Sequence, residues 1–253
     1  MRLILGLAFC TGLAFPAFAG TLDDAKARGT LRVGTPGDYA PFSLHLPDGS
    51  YRGADVTEAE KLAQHLGLRL EWVPTSWSKL ADDTKAGKFD LAVGGISITP
   101  ARREWADFST VLVSDGKRPY ARCADKDRYT TLAAIDQPDV RVVENPGGSN
   151  EAFAKANLPH AKVTIFPDNT KIADEIIAGR EDVMVTDGVE ADHNALVHPE
   201  LCAVPVAEPF THFQNAFLLQ KDLALKTAVD AFLEAEIKSG AWSATLTEAE
   251  KQP

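Results

Sequence analysis

The sequence predicts an α/β chain of two lobes, each a mostly parallel sheet flanked by helices, with a ligand cleft between them. Three observations lead there. Short apolar runs alternate with amphipathic helical stretches, the βαβ signature of a parallel sheet covered by helices. The alternation occurs as two series, before and after Cys123. Neither a low-complexity linker nor a solenoid-length repeat lies between them, so extended crossovers join the lobes and the ligand sits between.

In the first series, Leu31-Arg32-Val33-Gly34 is a strand. Asp55 is placed to cap a helix whose Val56, Ala59, Leu62, Ala63 and Leu66 share one face, and Gly67 ends it. Leu68 to Val73 is the next strand, followed by a helix ending near Gly87. Leu91-Ala92-Val93 is a strand, and Pro100 suits the first turn of another helix. In the second series the strands are Val140 to Glu144, Val163 to Phe166 and Val183 to Thr186. Their helices are Asn150 to Asn157, Thr170 to Ala178 and Gly188 to Leu196. The last long helix, Leu223 to Lys238, is expected to bury Leu225, Val229, Phe232, Leu233 and Ile237.

The chain opens with Met1-Arg2, an apolar stretch through Phe18, and a small-x-small site ending at Ala19. This pattern predicts a secretory signal peptide over residues 1–19 and a periplasmic mature chain. Cys10 sits inside the apolar run, which disfavours lipid attachment there. No later stretch offers about 18 consecutive apolar residues, so no membrane anchor is expected after cleavage. The net charge of −10 and the lack of a Lys/Arg run argue against nucleic acid and anionic membranes as partners. Cys123 and Cys202 remain after processing. Two thiols in an exported chain suggest one disulfide, the alternative being two buried free thiols. The cysteines and scattered histidines lack metal-ligand spacing, so no metal is expected, and His193 and His198 are placed at a surface helix end.

The loops after the strands carry the chemistry. Ser97-Ile98-Thr99-Pro100-Ala101-Arg102 follows Gly94-Gly95 and offers a helix N-terminus to an anion, with Arg102 in its first turn. A solvated arginine is the plain alternative. Gly37-Asp38-Tyr39-Ala40-Pro41-Phe42 is either a turn or a set of ligand groups at a strand end. Trp77 is either core or the aromatic wall of a cleft. Asn145-Pro146-Gly147-Gly148-Ser149-Asn150-Glu151 permits a backbone nest for an anion, with Ser149 or Asn150 as a helix cap. Phosphate-loop, dinucleotide and nucleophile-elbow motifs are absent. Asp187 and Glu190 follow the late apolar strand Val183 to Thr186.

Taken together, the signal peptide, G-D-Y-x-P-F, the S-I-T-x-x-R segment and the strand ending in Thr186-Asp187 resemble the family 3 solute-binding proteins, across essentially the whole mature chain. That family implies a two-lobed periplasmic-binding-protein-like fold of type II. The implied lobes are residues 20–120 with 214–253, and residues 121–213. Within that superfamily the chain is similar to the periplasmic cyclohexadienyl dehydratases. The similarity lies in Pro74-Thr75-Ser76-Trp77, Asp115-Gly116-Lys117, Asn145 to Glu151, Pro167-Asp168-Asn169, Thr186 to Ala191 and His198 to Val204. Ser149, Gly94-Gly95, Gly188 and the tail from Leu246 depart from that branch's pattern.

The resemblance implies an enzyme that converts prephenate to phenylpyruvate or arogenate to phenylalanine without a cofactor. Glu190 matches the general acid. Asn145 and Asn150 match groups that orient substrate, Trp77 the aromatic wall, and Asp38 a polar group of the first lobe. Arg102 matches the carboxylate-binding arginine shared with the binding proteins, and Asp187 the aspartate that holds an α-amino group. Lys117 and Ser97 are placed near the cleft. Cys123 and Cys202 also stand at matching positions, which supports pairing them. The rival expectation is a non-catalytic amino-acid receptor that feeds an ABC permease, in which Glu190 faces solvent. Either way the partner is a small molecule with carboxylate groups. A homo-oligomer remains compatible with the sequence.

Overall fold

The computed structural model describes residues 21–253, so the expected signal peptide lies outside the described residues. The chain forms two five-stranded sheets with matching topology. The first runs Arg69–Pro74, Thr30–Thr35, Leu91–Ala92, Leu218–Leu219, Asp107–Phe108. The second runs Lys162–Ile165, Arg141–Glu144, Val183–Asp187, Lys117–Arg122, Leu201–Ala203. In each, three strands are parallel and the fourth is antiparallel to the third. The fourth strand of the first sheet comes from the C-terminal part of the chain, and that of the second from the first crossover. Each sheet therefore contains one strand delivered by the passage between them.

Burial on both faces explains why the parallel strands are apolar runs. In the first lobe, Leu31, Val33 and Leu91 pack with Leu62 of helix Ala54–His65 and with Leu225, Val229 and Leu233 of helix Leu223–Ser239. The N- and C-terminal parts of the chain thus share one core. In the second, Val142, Val183 and Val185 face Phe153 and Tyr129, while Val143 and Met184 face Ile172, Ile176 and Ala191. Ile237, expected inside, is 38% exposed at the end of its helix.

Two further differences from expectation have clear causes. Asp55 does not cap its own helix. Its buried carboxylate accepts the backbone N–H groups of Gly94 and Gly95, both at 2.8 Å, and so fixes the glycine loop after Leu91–Ala92. A terminal helix, Ala241–Glu250, was not expected from its Ser- and Thr-rich sequence. It is held by tertiary contacts: Trp242 is buried against Ala54 and donates its indole N–H to the Leu112 carbonyl at 2.9 Å.

Strands Val113–Asp115 and Phe213–Asn215 pair antiparallel where the chain passes between the sheets. Strand Lys117–Arg122, which straddles the expected boundary at residue 120, belongs to the second sheet. We propose the Val113–Asp115 and Phe213–Asn215 pair as the hinge.

Cys123 and Cys202 are disulfide-bonded, with Cα atoms 4.8 Å apart, beside the pairing of Lys117–Arg122 with Leu201–Ala203. The bridge spans 79 residues, a long loop to close in the unfolded chain. Replacing both cysteines by serine should lower the unfolding free energy by about 2–4 kcal/mol. Urea denaturation checks this, and an unchanged midpoint and slope would contradict it.

Candidate functional site

The carboxyl ends of both parallel strand sets point at the gap between the sheets, where open α/β sheets bind ligands. Thr35, Pro74 and Ala92 end the strands of the first wall, and Glu144, Ile165 and Asp187 those of the second. The gap is nearly shut. A cavity of about 10 Å³ remains, bordered by Trp77, Ser97, Asn145, Asn150 and Asp187 among the expected residues. Admission of a substrate therefore requires the lobes to part. A larger depression of about 330 Å³ beside it includes Trp77, Arg102 and Ser149.

The second wall is a polar network held in apolar surroundings. Lys117 is buried, and its ammonium donates to Asp187 Oδ1 at 2.5 Å, to Ser149 Oγ at 3.1 Å, and to Asn150 Oδ1. The Asn150 amide donates to Asn145 Oδ1 at 3.0 Å and Thr186 Oγ1 at 2.9 Å. Asn150 is thus spent inside the site rather than on capping its helix, which Gly148 precedes without a side-chain cap. The Gly147 N–H is bonded to the Glu151 carboxylate, so that part of the expected anion nest is already filled.

Glu190 lies in the first turn of helix Gly188–Val197 and is 5% exposed. Its carboxyl is bonded to the Thr186 hydroxyl and accepts the Asn169 amide at 3.4 Å. Burial pushes its pKa up to about 8, against the Thr186 bond, and the nearby Asp187 carboxylate adds to the rise. The carboxyl is therefore largely protonated at neutral pH. Glu190 does not border the 10 Å³ cavity. Thr186 Oγ1 stands between it and Asn150, 3.2 Å from the Tyr39 hydroxyl. Beneath, the buried Glu144 accepts the Val185 N–H at 3.1 Å, and burial pushes its carboxyl well above the usual range.

The first wall supplies the aromatic and cationic groups. Trp77 donates its indole N–H to Asp38 Oδ1 at 2.9 Å and meets Tyr39 edge to face. Burial raises Asp38 to about 6 despite that bond. Asp38 and Glu190 line a second cavity that Ser97 and Asp187 do not border. Arg102 donates to the Ser97 carbonyl at 2.8 Å and lies 6.0 Å over the Trp77 ring. Burial lowers its pKa to about 10, which leaves it charged at neutral pH. Ser97 Oγ is 3.4 Å from Ser149 Oγ across the gap. Gly147 approaches the Ser78 backbone so closely that a Cβ would sit 2.6 Å from its nitrogen, and its φ of +78° suits only glycine.

The fold brings four further groups here that the sequence does not single out. Tyr39, Thr186 and Asn169 lie inside motifs that were singled out for their neighbours. Asn215 carried no signal, yet it donates to Gly95 O at 2.7 Å and Asp187 Oδ2 at 3.3 Å, joining the walls near the hinge. His193, placed at the surface by sequence, is buried, with Nδ1 2.9 Å from the Glu250 carbonyl.

Comparison with known proteins gives a family match over residues 31–248, to the bacterial extracellular solute-binding proteins of family 3. The chain belongs to that family. This family 3 protein is 44% identical over 234 residues to a cyclohexadienyl dehydratase of Pseudomonas aeruginosa, covering 92% of this chain and 87% of that one. It is similar to a solved ancestral amino acid-binding protein described as a precursor of cyclohexadienyl dehydratase. That likeness has a TM-score of 0.83 at 35% identity and covers 92% and 100% of the two chains. A solved ancestral cyclohexadienyl dehydratase matches at TM-score 0.58 and 44% identity, covering 92% and 98%. The two-lobed fold expected from sequence is borne out. Among the described residues, no helix is long and apolar enough to cross a membrane.

The raised pKa has a stability consequence. The folded value near 8 lies above the ordinary 4.5 of an unfolded glutamate. The stability that Glu190 contributes is full below pH 4.5, falls progressively as pH rises above that value, and is gone above 8. A glutamine does not suffer that loss. Glu190→Gln should therefore exceed the parent in stability at pH 7 by on the order of 3 kcal/mol, with the gap closing by pH 4. Denaturation curves at the two pH values check this, and equal gaps would contradict it.

Proposed function

We propose that this family 3 protein is a periplasmic cyclohexadienyl dehydratase, a carbon–oxygen lyase acting on prephenate, arogenate or both. The observation that carries the reading is the buried Glu190, a carboxyl held protonated at neutral pH beside a closing cleft. The 44% identity to a cyclohexadienyl dehydratase over most of both chains supports it. The expected signal peptide and the extracellular solute-binding family support the location.

The substrate loses a ring carboxylate as carbon dioxide and a ring hydroxyl as water, and aromatisation drives both losses. Hydroxide is a poor leaving group, so an acid must protonate it as it departs. We assign that step to Glu190, worth roughly 10²–10⁴-fold. Arg102 grips a carboxylate, Trp77 covers the ring, and Asn145, Asn150 and Ser97 orient the polar substituents. Asp38 supports Trp77. Closure of the lobes excludes water from the cleft where the chemistry occurs.

A receptor for an amino acid is the second reading, favoured by the likeness to an ancestral amino acid-binding protein. It needs Asp187 free for an α-ammonium group. In this chain the Lys117 ammonium already occupies Asp187 Oδ1 at 2.5 Å, which favours the enzyme.

Incubation with prephenate, with phenylpyruvate as readout, tests the proposal. Glu190→Gln should keep substrate affinity and lose roughly 10²–10⁴-fold in kcat. The parental kcat should fall as pH rises through about 8, because the working form of Glu190 is the protonated one. Turnover by Glu190→Gln at the parental rate would remove Glu190 from this role. Tight amino-acid binding without turnover in the parent would favour the receptor.

A further inference from the structure

The proposed reaction consumes one proton per turnover. The bond to the ring carboxylate breaks, and its electron pair moves through the ring to expel the hydroxyl oxygen with the C–O pair. Glu190 protonates that oxygen. The products are the aromatic acid, carbon dioxide and water, and Glu190 is left as a carboxylate. A proton from solvent must return to it before the next cycle.

In the closed protein the cleft is a poor route for that proton. While the lobes are shut, the gap between the walls holds only about 10 Å³. The opposite side of Glu190 differs. There Glu190 lines a cavity of about 110 Å³, room for several waters at roughly 30 Å³ each. Asp38, Tyr120, His193, Asn194 and His198 give it polar walls from both lobes. It opens to solvent beside exposed Thr170. Asn169, at its edge, donates one amide to both the Asp38 carbonyl at 2.8 Å and Glu190 Oε1 at 3.4 Å. The cavity thus reaches the acid while the lobes are shut.

We propose that this cavity is a separate solvent entrance through which water reprotonates Glu190, so that the acid is loaded from behind and discharged toward the cleft. The inference rests on the dehydratase reading. It divides the two jobs of the acid between its two sides: the cleft side stays dry for the chemistry and the rear side stays wet for recharging. Asp38, raised by burial to about 6, and His193, lowered by burial, are exchangeable proton carriers along the walls.

Two variants obstruct the cavity without touching the groups assigned to substrate. Ala173→Met fills it from helix Ile172–Ile177, and Thr170→Trp covers its mouth from an exposed position that disturbs no core. Single-turnover and steady-state formation of phenylpyruvate are compared for each. The first turnover starts with Glu190 protonated and should run at the parental rate. Steady-state kcat should fall roughly tenfold or more, within the span that loss of the acid allows, and a burst of about one product per site should appear. Parental kcat in both variants would overturn the proposal. Parallel loss in the single-turnover rate would overturn it too, because blocked recharging spares the first cycle. A parental protein that makes no phenylpyruvate would instead fail the dehydratase reading.

Discussion

The burial of Glu190 is the constraint on which the rest of the site depends. A carboxyl in water has no use as an acid near neutral pH, because it has already lost its proton. Here the first turn of a helix, the end of a buried strand and a residue from the neighbouring loop enclose it, and desolvation keeps the proton on. The Thr186 bond works against this by favouring the ionised form. It nevertheless aims the carboxyl and ties it to Asn150, so part of the pKa rise is exchanged for position. Folding stability at neutral pH is lowered by the same feature.

The neighbouring charges make sense in that light. A bare Asp187 next to a protonated glutamate would raise the acid further and would itself be costly to bury. Lys117 neutralises it, and Ser149 and Asn150 take the remaining donors of the ammonium. The Asp187 carboxylate is thereby paired within the chain. Arg102 stays charged on the opposite wall.

The architecture was legible in the sequence wherever strands are buried on both faces, as in Leu31–Val33, Val142–Val143 and Val183–Val185, because such strands are apolar runs. The antiparallel strand Lys117–Arg122 was not. Its Lys, Arg and Pro residues disguise a strand whose charges are paired through tertiary contacts. Asp55 and Asn215 were invisible as site supports because their partners lie 28 to 120 residues away. The residues of the strand-end loops were legible as a set. The side that each one serves was not, since Glu190 and Asp38 share the rear cavity while Ser97, Asn150 and Asp187 border the cleft.

The central claim is that this carboxyl keeps its proton near neutral pH in the closed protein. ¹³C NMR of carboxyl-labelled glutamate, with the Glu190 signal assigned by its loss in Glu190→Gln, measures this directly. A titration midpoint near 8 is expected. A midpoint at the ordinary glutamate value of 4.5 would contradict it.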